Sequence, residues 1–291
     1  MSEQITTAFV KQFEQGIMHL AQQSGSKLMN AVSVVNGITG DRDFFDQLGA
    51  TVATQLTNRH ADTELTDTPH ARRMLTTSKY AVADMVDEYD KVRVLNDPTN
   101  DYAKSFAWAI GRSIDDDIIT SFFGSASTGV DGATPAPFPG ANVVPLGAAG
   151  LTVAKLRNAR EILEAYEEVE DDGENQWYIA CNARQRRDLL ATTEVTSTDF
   201  NSVQALVQGH VDTFLGFKFL KTQRTVLDSN LDRRVPAWNK SAMKLGFNQN
   251  ITGSIDRRPD KNNGIQVYFR ADFGSTRMRE TGVVEILCDE T

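Results

Sequence analysis

Cysteine is nearly missing from this chain: Cys181 and Cys288 are the only two in 291 residues, each inside an apolar, strand-like run. No paired spacing offers a zinc site or a disulfide framework, so both are expected to be free, buried thiols. Histidine is almost as scarce. His19, His60, His70 and His210 are scattered, with no His-Glu-x-x-His run, and no serine or cysteine sits on a glycine-flanked nucleophile elbow. The glycines form neither a phosphate loop nor a dinucleotide fingerprint. No apolar stretch approaches the ~20 residues needed to cross a bilayer, and the N-terminus lacks a basic segment followed by an apolar one. Positive charge is in deficit too. A net charge of −9 argues against a general nucleic-acid binder, because phosphate neutralisation by Lys and Arg supplies most non-specific affinity.

What remains is a composition able to bury a core, 40% hydrophobic and 24% charged. The length allows one large or two closely joined domains. Near the N-terminus, Ile5, Phe9, Phe13, Ile17 and Leu20 recur every three or four residues, a helical stripe that has to bury its face on something else. Further on, Thr51 to Leu56 and Thr76 to Val82 are rich in strand formers and flank a polar, Arg-bearing middle, Asp62 to Arg73. Two strands with a polar tip make a long hairpin. An isolated two-stranded hairpin is marginal in water, so such an arm calls for a partner surface.

A long helix is the strongest local expectation. Asp97-Pro98-Thr99 offers helix-start chemistry, with Thr99 as N-cap and Asp101 favourable in the first turn. Tyr102, Phe106, Ile110, Ile114, Ile118 and Phe122 recur at four-residue steps beside a small-residue line of Ala103, Ala107 and Gly111 that invites close approach. About 24 residues would span roughly 36 Å, and Gly124 is placed to stop the helix. Residues 124–150 read as a Gly, Ala, Ser and Pro-rich connection, holding four of the eight prolines. Helices after Thr152 and at Asn182, and strands at 176–181, 216–221, 242–247, 265–273 and 283–288, follow without regular alternation, so the class is α+β.

Charge clusters complete the picture. Asp115-Asp116-Asp117 suggests a magnesium site, but successive helical residues point about 100° apart, so a solvated or salt-bridging face is expected. The acidic run from Glu164 to Glu174 ends a helix with the sign the dipole disfavours, and Arg184, Arg186 and Arg187 are candidate compensators beside water and ions. Arg59, Arg72 and Arg73, interleaved with Asp62, Glu64 and Asp67, form the constellation with a function to offer. Arginine's planar fork suits carboxylate pairing between subunits.

These segments, in their order, resemble the extended loop and spine helix of tailed-bacteriophage (Caudoviricetes) major capsid proteins with the Hong Kong phage (Johnson-type) fold. The likeness rests on Asp62 to Arg73, Tyr80 to Asp87, Asp97-Pro98-Thr99, Tyr102-Ala103-Lys104 and Gly111 to Asp116. It resumes at Ser197 to Asn201, Asp212 to Phe217, Asp256 to Lys261 and Val283 to Glu290, and so covers most of the chain. The resemblance implies an N-terminal arm at 1–40, an extended β-hairpin loop at 41–90, a peripheral domain with the spine helix at 91–149 and 255–291, and an axial domain at 150–254. It implies a virion structural protein, not an enzyme, that self-assembles into hexamers and pentamers of an icosahedral shell. That shell would enclose double-stranded DNA without sequence-specific binding, with assembly in the host cytoplasm, no membrane, no cofactor and no metal.

The expected partners are other copies of the chain, a separate scaffolding protein, a portal and a decoration protein. The arm and hairpin begin within about 40 residues of Met1, leaving no room for the cleaved scaffolding segment some relatives carry. Intersubunit contacts are expected at Arg59, Asp62, Asp67, Arg72 and Arg73. Reversing the charge of Arg72 and Arg73 together should impair assembly or stability and leave the subunit fold intact. Some relatives join subunits through a loop lysine and an asparagine. Here residues 45–77 hold no lysine, and a guanidinium stays protonated, so a shell without covalent cross-links is expected. Two rival readings are an encapsulin-like cargo compartment and a metal-dependent hydrolase using Asp115, Asp117 and His70.

Overall fold

The computed structural model describes residues 22–55, 62, 65–86, 99–168, 176–191 and 213–290. Two compact units emerge, one taking in residues 22–26, 79–113 and 249–272, the other 27–78, 114–248 and 273–290, as far as they are described. Helix α1, Thr99–Phe123, runs through the chain positions where one unit gives way to the other. Its 25 residues match the expected length, and Ile110, Ile114, Ile118, Ile119 and Phe122 are at most 1% exposed. The N-cap chemistry at Asp97-Pro98 lies outside the described residues. At the other end the Gly124 amide donates to Thr120 O at 3.0 Å, closing the last turn.

In the first unit the small-residue line has its use. A Cβ on Gly111 would stand 2.6 Å from the backbone of Gly25, so only glycine lets the segment 25–26 lie on the helix. Arg112 then holds that segment, donating to Gln22 Oε1 at 2.9 Å and to Gln23 O at 3.1 Å. The expected helical stripe before it, Ile5 to Leu20, lies outside the described residues. Alongside are β4 (Ser78–Val86) and the outer parts of two long strands, β12 (Met243–Arg258) and β13 (Gly264–Arg277), in the order β12-β13-β4. Phe269 lies across Gly253, where a Cβ would come within 2.5 Å of the ring, and meets Phe106 edge-on at 6.4 Å.

The second unit holds the main core. Its six-stranded sheet runs β7 (Val143–Val144), β14 (Val283–Cys288), β11 (Arg233–Asn239), β8 (Trp177–Cys181), β10 (Phe217–Lys221) and β9 (Thr213–Phe214). Helix α2, Val153–Ala165, starts at Thr152, whose hydroxyl caps the Lys155 amide, and buries Leu156, Ala159 and Leu163 against Trp177, Ile179, Val235 and Ile286. Helix α3, Ala183–Ala191, is opened by Asn182, whose side chain accepts from the Arg184 and Gln185 amides. Both cysteines are free and fully buried, and burial pushes each thiol up to about 12. Strand β1 (Ser33–Asn36) pairs in parallel with the start of β12, Ser33 opposite Lys244.

Two expectations change. Residues 51–55 are irregular and exposed rather than a strand; the hairpin is made instead by β2 (Arg42–Leu48) and β3 (His70–Thr76). Val52 and its threonine neighbours favour extended backbone, but among the described residues they find no neighbour to pair with, and propensity yields to context. The connection at 124–150 also carries structure. It forms β5 (Ala126–Thr128) and β6 (Thr134–Ala136), which complete a four-stranded sheet in the order β2-β3-β5-β6.

Candidate functional site

The hairpin is built by strict antiparallel pairing from Arg42 opposite Thr76 to Leu48 opposite His70. Gly49 extends it by one step, its amide donating to Pro69 O at 2.8 Å, and a Cβ there would collide with the proline ring at 2.6 Å. On the inner face Phe45 lies under the Lys244 ammonium, 3.9 Å from the ring centre, and Gln47 donates to Met278 O at 2.7 Å. On the outer face Phe44 and Leu48 are 38% and 71% exposed, and in the irregular segments beyond the strands Val52 and Leu65 are 81% and 94% exposed.

Adjacent residues of a strand point to opposite faces, so the two hairpin arginines part company. Arg72 turns outward. Its Nε donates to Asp46 Oδ1 at 2.6 Å and its guanidinium lies 5.7 Å over the Phe44 ring. The hydrogen bond from Arg72 holds the Asp46 carboxyl below the usual carboxylate range, and both side chains remain exposed. Beside them an open depression of about 490 Å³ is lined by Asp46, His70, Arg72 and Val130.

Arg73 turns inward and is only 8% exposed. Its Nε donates to Met278 O at 3.1 Å, and Nη2 donates to both carboxylate oxygens of Glu280, at 2.6 and 2.5 Å. Glu280 also faces Arg277, a fully buried residue whose guanidinium donates to Phe122 O, Gly124 O and Ala136 O at 2.8, 2.9 and 3.0 Å. Arg73 is thus an anchor inside its own chain, and reversing its charge would damage the subunit fold, contrary to the expectation for the double reversal. Of the other expected contact residues, Asp62 and Asp67 are exposed, and Arg59 lies outside the described residues.

The β5–β6 turn buttresses the same hairpin. Arg73 and Met74 pair with Thr128 and Ser127, and Thr128 Oγ1 donates to Arg72 O at 2.8 Å. Gly132, at φ 68°, is required twice over, since a Cβ would also meet Met74 Sδ at 2.4 Å. Three or more strands with a buried face can hold themselves, so the described base of the hairpin is held by its own chain.

The three aspartates of α1 diverge as helix geometry demands, and each finds a partner in the protein, Asp116 through the expected kind of salt bridge. Asp115, fully buried, accepts from the Lys27 and Leu28 amides at 3.0 and 3.1 Å. Asp116 pairs with Arg224, and Asp117 accepts from Ser275 Oγ at 2.6 Å. His70 stands on the exposed hairpin, and among the described residues no group of three or more His, Cys, Asp or Glu could hold a metal ion. In the acidic run, Glu168 is buried and receives Arg279 at 2.8 Å and Thr281 at 2.9 Å. Arg184 donates to the Glu290 carbonyl and Arg187 pairs with Asp188. Sequence spacing gives no hint of Arg279 for Glu168 or of Glu280 for Arg73, because these partners are more than a hundred residues apart.

A reinforced hairpin with apolar side chains on its outer face, beside a long helix, is what a shell subunit needs, and comparison with known proteins decides the matter. A family model described as phage capsid protein matches residues 5–290. This chain belongs to the phage capsid protein family. It is a major capsid protein, a structural subunit that associates with its own copies in the virion shell. Its fold is that of the Hong Kong phage type. The capsid structure of cyanophage P-SCSP1u matches at TM-score 0.76 and 15% identity over 99% of this chain and 95% of that one. The capsid of Ralstonia phage GP4 gives 0.76 at 11% identity over 97% of each. A chain of Mycobacterium phage Che8 gives 0.69 at 15% over 96% and 97%. Comparison with curated protein sequences gives no match.

Proposed function

We propose that this capsid protein builds an icosahedral shell of hexamers and pentamers around the double-stranded DNA of a tailed phage. Residues 1–40 serve as the arm, 41–90 as the extended loop, 91–149 and 255–291 as the peripheral domain, and 150–254 as the axial domain. The observation that carries this reading is the outer face of the hairpin. It is ordered by β5 and β6 and by Arg73, yet leaves Phe44 and Leu48 uncovered, with Val52 and Leu65 exposed beyond the strands. Apolar groups on a rigid arm gain most by burial on another copy, at roughly 25 cal/mol per Å². Arg59, Asp62, Asp67 and Arg72 make the polar part of that contact. The shell subunit carries no catalytic role.

A separate scaffolding protein, a portal and a decoration protein complete the assembly, which takes place in the host cytoplasm. DNA is enclosed without sequence-specific contact, in keeping with a net charge of −9. Light scattering and negative-stain microscopy of the purified protein, with and without its scaffolding partner, test the reading. Closed particles of uniform size support it, and a compact monomer under every condition overturns it.

A further inference from the structure

One basic cleft takes no part in the hairpin. Strands β8 and β10 are parallel neighbours, with Cys181 opposite Lys221, so both end at the same edge of the six-stranded sheet. At that edge β8 turns through Asn182 into α3, whose first turn is the positive end of the helix. A cleft of about 110 Å³ opens there, lined by Lys27, Cys181, Arg186, Lys221, Thr222 and Gln223 among others, all in the second unit. Among the described residues its lining holds three cations and no carboxylate.

The fold gathers these groups. Lys27 Nζ donates to Lys221 O at 2.8 Å, which holds one ammonium over the end of β10. Of the arginines on α3, Arg184 meets the Glu290 carbonyl and Arg187 meets Asp188, while Arg186 lines the cleft. Burial raises the Cys181 thiol, and Arg186 and Lys221 both act against it, as two positive charges beside the strand ends must. Thr222 adds a neutral donor. It is 2% exposed, its Oγ1 accepts from the Arg224 amide at 3.2 Å, and among the described residues nothing accepts its proton. Acidic side chains that touch the same segments are committed: Asp115 to the Lys27 and Leu28 amides, Asp116 to Arg224, and Glu290 to Asn182, Gln185 and Arg233.

We propose that this cleft binds a phosphate group, free or carried on a nucleic-acid backbone. Asn182 already caps the Arg184 and Gln185 amides, so recognition falls to the side chains. Phosphate presents its oxygens as a tetrahedron and can meet a guanidinium, two ammonium groups and a hydroxyl together, where a carboxylate offers two oxygens in one plane. The carboxyl ends of parallel strands, beside a helix start, are also where open sheets place their ligands.

The test is calorimetric titration and thermal melting of the full-length chain with inorganic phosphate, at an ionic strength matched by sodium chloride. One phosphate should bind per chain and, at ten times its Kd, raise the melting temperature by roughly 3 °C. Lys221→Gln and Arg186→Gln should each weaken binding by about tenfold, while Lys218→Gln, on the same strand but outside the cleft, should leave it unchanged. A short double-stranded oligonucleotide that displaces the phosphate points to a nucleic-acid backbone as the source, and one that does not points to free phosphate. A melting shift that chloride reproduces in the unmodified protein overturns the proposal without recourse to any variant. So does an affinity that both the Lys221 and Arg186 variants retain.

Discussion

Arg72 and Arg73 are neighbours in sequence, and their replacement should have opposite consequences. Arg73→Ala removes a guanidinium that is 8% exposed and takes away the two hydrogen bonds it gives the Glu280 carboxylate, while the Met278 carbonyl keeps Gln47. Breaking a buried ion pair costs about 3–5 kcal/mol, and because Glu280 stays 26% exposed, water recovers part of its loss, so about 3 kcal/mol applies. For a chain of this size that lowers the melting temperature by roughly 6–10 °C. Arg73→Lys should fall between, since an ammonium keeps the charge but cannot donate along the fork to both oxygens and the carbonyl. Arg72→Ala removes an exposed contact with Asp46, and the subunit should melt within a degree or so of the parent. Its effect belongs to the particle. Differential scanning calorimetry of unassembled subunits, followed by sedimentation of assembly mixtures, reads both. Equal melting shifts for the two alanine variants would refute the division into anchor and contact, as would normal assembly by Arg72→Glu.

The remaining predictions concern other joints of the same subunit. Glu290 accepts from Asn182, Gln185 and Arg233, and chiefly the Arg233 hydrogen bond holds its pKa at about 2, against 4.5. That depression contributes about 3 kcal/mol above pH 4.5, lost as pH falls towards 2, so Glu290→Gln should be less stable in denaturant at about pH 7 and equal to the parent near pH 2. Gly274→Ala would place a Cβ 2.0 Å from Thr76 O, backbone against backbone, and should yield insoluble protein or a fold without the β3 join, read by circular dichroism of the soluble fraction. Boiled particles should run as monomer on a denaturing gel, because residues 45–77 carry no lysine for an isopeptide bond; a covalent ladder would contradict this.

Legibility followed how local the cause was. The spine could be read almost to the residue, because four-residue steps from Tyr102 to Phe122 and a stopping glycine act within one element. Thr152 and Asn182 could be read as helix starts for the same reason, as side-chain caps reach only two or three residues ahead. The hairpin was legible as an object but not in its register. Thr51, Val52 and Thr54 have strand propensity, yet pairing went to Arg42–Leu48, because Phe45 and Gln47 find Lys244 and Met278 beneath them. The loop at 124–150 misled for a related cause: its glycines and prolines look like a linker, and only the tight fit of Gly132 against Met74 shows them shaping a turn beneath β3.

The candidate site was half legible, and the missing half is instructive. An interleaving of Arg59, Asp62, Asp67, Arg72 and Arg73 marks a charged arm, but sequence cannot say which arginine faces the subunit's own core. That depends on register, since a one-residue slip of β3 would exchange Arg72 with Arg73. The structure fixes it through contacts more than two hundred residues away in sequence, at Met278 and Glu280. Such a partner is paired by the fold and leaves no spacing to read. The same logic separates stability from assembly in this capsid protein. Charges whose partners lie in the chain hold the arm's base, and charges left outward with Phe44 and Leu48 are available to another copy. Swapping the two, with Arg72→Leu to cover the outer face and Arg73→Leu to break the anchor, should move assembly in the first case and melting in the second.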